Sequence, residues 1–202
     1  MTKRLILAAT IVCGLILLAP APAHAKVYGG LGIGQSSTSD IDADDLDDGS
    51  FISSSTDDSD TGWKGFVGYR FLKFFSLELA YVDLGEFSIS AESDGTGLLY
   101  APGNVSGSVD ADTAALQAMG ILPLGERFSI YVKFGYHAWD AKVRLSDSLD
   151  SASTSEDGED AMYGLGVNFG LKGAGSIRLE YELYELEDVD VDLISVAFAF
   201  RF

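Results

Sequence analysis

The last nine residues read Ile-Ser-Val-Ala-Phe-Ala-Phe-Arg-Phe, with Ile194, Val196, Phe198, Phe200 and Phe202 at every second place. Side chains of a β-strand point alternately to its two faces, so this spacing makes one face wholly apolar. The same period recurs along the chain. In residues 62–71, Trp63, Val67, Tyr69 and Phe71 alternate with Lys64, Phe66, Gly68 and Arg70. In residues 177–184, Ile177, Leu179, Tyr181 and Leu183 alternate with Arg178, Glu180, Glu182 and Tyr184. Segments 27–35, 75–85, 113–123, 128–140 and 163–171 follow the same rule, which makes eight strands in all, and no segment has a helical period.

The chain opens with Lys3 and Arg4, an apolar run from Leu5 to Leu18, and Ala23-His24-Ala25. That order of basic, apolar and small-x-small residues is a secretory signal cleaved after Ala25. Cys13 follows Val12 and not a small residue, which argues against a lipoprotein. The exported part, residues 26–202, then holds no cysteine and needs no disulfide. The first 25 residues hold two of the 13 basic side chains and none of the 31 acidic ones. The rest therefore carries 11 against 31, a formal charge of −20. Such a surface repels nucleic acid.

Two features decide which solvent meets the apolar faces. The apolar segments run about 9 to 11 residues, the span of a tilted strand across hydrocarbon. The opposite faces hold glycine (Gly30, Gly32, Gly34, Gly164, Gly166) and a few charges, where a hydrated surface would carry Lys, Thr and Glu. Lipid outside and a crowded lumen inside account for both. A sheet in hydrocarbon must also close, because an open edge leaves backbone groups unpaired. Connections near Leu72-Lys73, at Pro123 to Glu126 and at Lys172 to Gly175 are short, and the link near Glu187-Asp188 is short as well. Those at about 36–61, 88–108 and 144–160 are long, polar and acidic, and are expected to be extracellular loops. The expected fold is an eight-stranded antiparallel up-and-down transmembrane β-barrel, with both termini at the short-turn end.

Residues 62–71 and 74–87, the stretch from Ile121 to Lys142, and residues 163–170 with the stretch from Ser176 to Phe202 resemble the OmpA-type eight-stranded outer-membrane barrels, and the likeness covers nearly all of 26–202. The resemblance implies an integral protein of the cell outer membrane with periplasmic termini, surrounded by lipid and lipopolysaccharide. It also implies that the terminal strand, ending on Phe202, is the signal read by the outer-membrane assembly machinery. Larger members add a peptidoglycan-binding domain; this chain ends at the barrel, so that activity is not expected of it. The resemblance further implies a basic residue on strand four and an acidic one on strand six, where Met119 and Asn168 stand here. That departure removes the basis for carrying over a gate.

By parity Lys64, Glu78, Lys133, Arg178, Glu180 and Glu182 face the lumen, three cations and three anions. An interior ion-pair network that plugs the barrel is the favoured reading over a selectivity or gating cluster, since eight strands leave room only for side chains. Nine aspartates lie between Asp40 and Asp60. Asp40, Asp42 and Asp44 are spaced as calcium ligands, yet Asp45 replaces the turn glycine of a calcium loop and Phe51 its closing Glu. A hydrated loop is the simpler reading. His137 beside Trp139 could be a proton-transfer base, or a packed lumen residue. Gly30 to Gly34 precedes no helix pattern and is no nucleotide loop, and no cofactor is expected. Trp63, Tyr69, Phe71, Phe128, Tyr163 and Tyr181 share the outward parity expected of an interfacial girdle.

The expected role is structural, in envelope integrity and surface interaction. The rivals are a small pore, an adhesin for an extracellular ligand, and a lipid-modifying enzyme. A closed barrel predicts heat-modifiable migration on a gel: the unboiled protein runs as a compact band that shifts on boiling. A band that never shifts would count against closure.

Overall fold

The computed structural model describes residues 26–38, 47–97, 100–187 and 189–202. The expected signal segment, and the candidate calcium ligands Asp40, Asp42 and Asp44, lie outside them. The described residues form nine strands: β1 (Lys26–Ser37), β2 (Phe51–Asp57), β3 (Ser59–Leu72), β4 (Phe75–Ser93), β5 (Gly103–Pro123), β6 (Phe128–Ser146), β7 (Ser151–Gly170), β8 (Gly175–Leu186) and β9 (Val189–Arg201).

All pairings are antiparallel. The order runs β4-β3-β1-β9-β8-β7-β6-β5, and β5 pairs back onto β4, so the ring is closed. The seam is β1 against β9, in register from Tyr28 opposite Arg201 to Ser37 opposite Asp192. The ninth strand does not add a stave. β2 pairs with Ser88–Ser93 of β4 and β3 with Phe75–Asp83 of the same strand. The two are one stave of the ring interrupted at Asp58, so the eight staves read from the periodicity are present.

The polar connections differ from expectation. Residues 51–57 and 59–61, 88–93 and 103–108, and 144–146 and 151–160 are strands, not loops. β4 to β7 have 19 to 21 residues, about twice what hydrocarbon requires, while β1, β8 and β9 have 12 or 13. One side of the barrel is therefore a tall wall beyond the membrane band. In Phe51–Asp57 and at residues 151–160 both faces are largely exposed, so polar side chains suit them and the one-sided apolar signal fades.

Polarity inverts along the strands. In the lower band Leu31, Leu77, Val132, Leu165 and Val196 point outward and are exposed, while Lys64, Glu78, Lys133 and Glu180 are buried inside. Higher up, Val82, Leu84, Phe87, Trp139, Val191 and Leu193 form a buried apolar core, and Glu86, Asp140 and Lys142 face out. The expected lumen of glycine and charge holds only for the lower half. On β4 a bulge at Asp83/Gly85, with Gly85 at φ 84°, shifts the parity. Inward residues are even-numbered up to Leu84 and odd-numbered from Phe87. Without the extra residue Phe87, Ile89 and Ala91 would face water.

The glycines of the inner face pair with inward aromatics. Tyr28 lies opposite Gly68, Phe66 opposite Gly30, Tyr131 opposite Gly166 and Trp139 opposite Gly158. Each ring lies over its neighbour's bare backbone; a Cβ on Gly166 would sit 2.5 Å from the Tyr131 ring. Gly166→Ala is expected to lower stability by roughly 1–3 kcal/mol through overpacking. Tyr131→Ala in the same chain should recover part of that loss. Urea unfolding in lipid measures both, and simple additivity would refute the pairing.

Candidate functional site

Six charged side chains meet at mid-lumen: Lys64 from β3, Glu78 from β4, Lys133 from β6, and Arg178, Glu180 and Glu182 from β8. All are at most 6 % exposed. Alternation explains β8, whose residues 178, 180 and 182 share one face. Lys133 and Glu182 are brought together by register. Lys133 lies opposite Gly164, and Gly164 opposite Glu182, so only a glycine backbone stands between them.

The contacts form a continuous layer. Lys133 Nζ lies 3.2 Å from Glu78, 2.7 Å from Glu180 and 2.8 Å from Glu182. Lys64 Nζ is 2.5 Å from Glu180 and also pairs with Glu182. Arg178 Nη1 lies 2.8 Å from Glu78 and 3.8 Å from Glu180. Two neutral groups complete it: Gln117 Nε2 donates to Glu78 at 2.9 Å, and the Tyr131 hydroxyl donates to Glu180 at 2.6 Å. The Arg178 guanidinium lies 4.9 Å from the Tyr28 ring centroid and 4.6 Å from that of Phe66. Formal charge within the layer is zero, as a water-poor lumen demands.

The layer thus gathers all six residues picked out by parity. Sequence reasoning missed Tyr131 and Tyr28. Both have inward parity, and both stand opposite a glycine, a signal visible only once register is known. Met119 and Asn168 line the lumen just below, Asn168 directly opposite Arg178.

Above the layer, both nitrogens of His137 are engaged. Nε2 donates to the Glu185 carbonyl at 2.9 Å, and Nδ1 meets the Thr113 hydroxyl at 2.7 Å. Its ring packs edge-on against Tyr184. In this arrangement neither nitrogen is free to take a proton from a nucleophile. At the rim, Trp139 Nε1 donates to Asp160 at 2.8 Å and the Glu187 backbone N–H donates at 3.3 Å. These bonds hold the Asp160 carboxyl below the usual carboxylate range, because they favour its ionised form.

The outer face carries the girdle. Of the expected members Trp63, Phe128, Tyr163 and Tyr181 are exposed and Tyr69 and Phe71 half-buried; Tyr81 and Tyr136 are exposed beside them, and Trp63 and Tyr81 donate to Asp83 and Asp112 at 3.1 and 2.9 Å. Just above, Asp83, Asp112, Asp140 and Asp157 stand in successive register across β4 to β7. Phe202 is largely exposed at the other end, and its backbone N–H donates to the Val27 carbonyl at 2.9 Å.

A family model for the outer membrane protein beta-barrel domain matches residues 6–202. Among solved structures, the chain is similar to Ail, the attachment invasion locus protein of Yersinia pestis, in complex with the heparin analogue sucrose octasulfate. Identity there is 17 %, covering 88 % of this chain and 97 % of that one, with a TM-score of 0.52. It is similar to the outer membrane protein OprG from Pseudomonas aeruginosa at 16 % identity, covering 88 % and 95 %, TM-score 0.53. It is also similar to the N-terminal β-barrel domain of Pseudomonas aeruginosa OprF at 12 % identity, covering 87 % and 97 %, TM-score 0.51. No curated protein sequence matches it.

Breaking the layer at one charge should cost about 3–5 kcal/mol, since the partner stays buried and unpaired. Lys64→Met is expected to lose that much in urea unfolding. Lys64→Met with Glu182→Leu should regain most of it, leaving two cations and two anions. Equal losses in both would show that packing, not pairing, governs the site.

Proposed function

The chain belongs to the outer-membrane protein β-barrel family and is integral to the outer membrane, and on that premise we propose that it is a non-enzymatic structural barrel with a sealed lumen. It contributes to envelope integrity and presents an acidic wall to the outside. The single observation that carries this reading is the double seal. The ion-pair layer of Lys64, Glu78, Lys133, Arg178, Glu180 and Glu182 lies below, and the apolar core around Leu84, Phe87, Trp139 and Leu193 lies directly above. An ion crossing would have to break buried pairs and then enter a packed apolar region, and either step carries a large desolvation penalty.

The orientation follows from hairpin height: the termini and the turns at 73–74, 124–127 and 171–174 are periplasmic, and the tall β4–β7 wall is extracellular together with the short β8–β9 turn. The C-terminal strand ending on Phe202 serves as the assembly signal, and lipid and lipopolysaccharide surround the girdle. Surface interaction is supported by the height of the wall. The polyanion bound by Ail is not carried over to it, because the row of Asp83, Asp112, Asp140 and Asp157 would repel such a ligand. An enzymatic role for His137 is disfavoured by its engaged nitrogens.

Reconstituted in planar bilayers, the protein is expected to give no steady conductance steps. Long-lived ohmic openings at low voltage would overturn the sealed-lumen reading and favour a pore.

A further inference from the structure

The short-turn end holds a feature that a structural plug does not require. Below the ion-pair layer the lumen opens into a cavity of about 150 Å³, lined by Arg70, Arg127, Arg178 and Arg201 with a single carboxylate, Glu126. Arg70, Arg178 and Arg201 share inward parity on β3, β8 and β9, and Arg127 comes from the β5–β6 turn. The cavity is open where the lumen lacks charged side chains, at Met119 and Asn168. In a chain so acidic, four guanidinium groups around one cavity is a strong local departure.

Three of these charges lack a counter-ion. Among the described residues, no ion pair joins Arg70, Arg127 or Arg201 to a carboxylate. Arg178 and Arg201 lie within electrostatic reach of Arg70 and repel it. Arg178 forms the roof, only 6 % exposed, and Glu78 occupies one side of its guanidinium. Its Nε is buried without any hydrogen-bond partner. A buried N–H left without an acceptor is costly and is normally satisfied.

We propose that this vestibule binds a compact oxyanion of the phosphate class from the aqueous side of the short-turn end. Planar guanidinium forks match phosphate oxygens, and several of them around one cavity suit a divalent anion. The site goes beyond the sealed-barrel reading and stands without it, since it needs no passage through the lumen. It would fasten the barrel's inner mouth to a phosphate-bearing solute.

The test is ¹⁵N NMR of arginine Nε–H groups on the full chain refolded in nanodiscs of zwitterionic lipid, titrated with inorganic phosphate and, at matched ionic strength, with chloride. A saturable phosphate-specific shift at Arg178 is expected. In Arg70→Gln/Arg201→Gln, affinity should fall at least about tenfold, as expected for removing charge-assisted bonds, with the heat-modifiable band retained. Arg127→Gln, on an exposed turn, should also weaken binding and serves if the double variant does not fold. Equal responses to chloride and phosphate, or undiminished binding in the variants, would overturn the site. So would a shift that needs anionic lipid in the nanodisc and ignores free phosphate, because the anion would then sit at the lipid boundary.

Discussion

Hydrocarbon offers no hydrogen-bond partner, so every N–H and C=O of the spanning segments must find one within the sheet. Everything else in this structure is arranged around that requirement. The seam of β1 against β9 and the return of β5 onto β4 leave no edge in the membrane band. The last backbone bond of the chain, from Phe202 to Val27, continues the same closure to the final residue. With the ring closed, an inside and an outside exist, and each side chain's parity decides its solvent.

Closure at eight staves creates the second problem, a lumen too narrow for bulk water and too polar to leave empty. The chain meets it with balanced charge low down and apolar packing higher up. The change of filling follows the change of outer solvent. Where lipid surrounds the barrel, outward residues are apolar and the inner face carries charge. Where water surrounds it, the wall is built like a soluble barrel, greasy inside. The bulge at Asp83/Gly85 marks the passage from one regime to the other on β4. The vestibule at the opposite mouth is the place where neither filling is complete.

Most of the lower band was legible in the sequence. Lys64, Glu78, Lys133, Arg178, Glu180 and Glu182 lie inside because period two admits only two faces, and the apolar one had to meet lipid. The wall was not legible in the same way. Phe87, Ile89 and Ala91 continue the alternation of β4 but in the opposite phase, so a reader following one parity stops at Gly85 and sees a loop. Ser151 to Asp160 is a strand whose side chains carry almost no apolar signal, since it stands in water. The split of one stave into β2 and β3 likewise falls at Asp58, whose carbonyl accepts from the Thr38 backbone N–H, a local geometry without a periodic trace.

Periodicity, segment length and the balance of inner charges determined by themselves that this chain forms a closed membrane barrel with a polar lower lumen, because those properties belong to each strand separately. Only the tertiary structure decided which charges touch, that Gly164 lets Lys133 reach Glu182, that Tyr131 covers Gly166, and that Arg178 faces a cavity with a free Nε. Each of these depends on register between strands, and register is set by the ring as a whole. No single strand contains it.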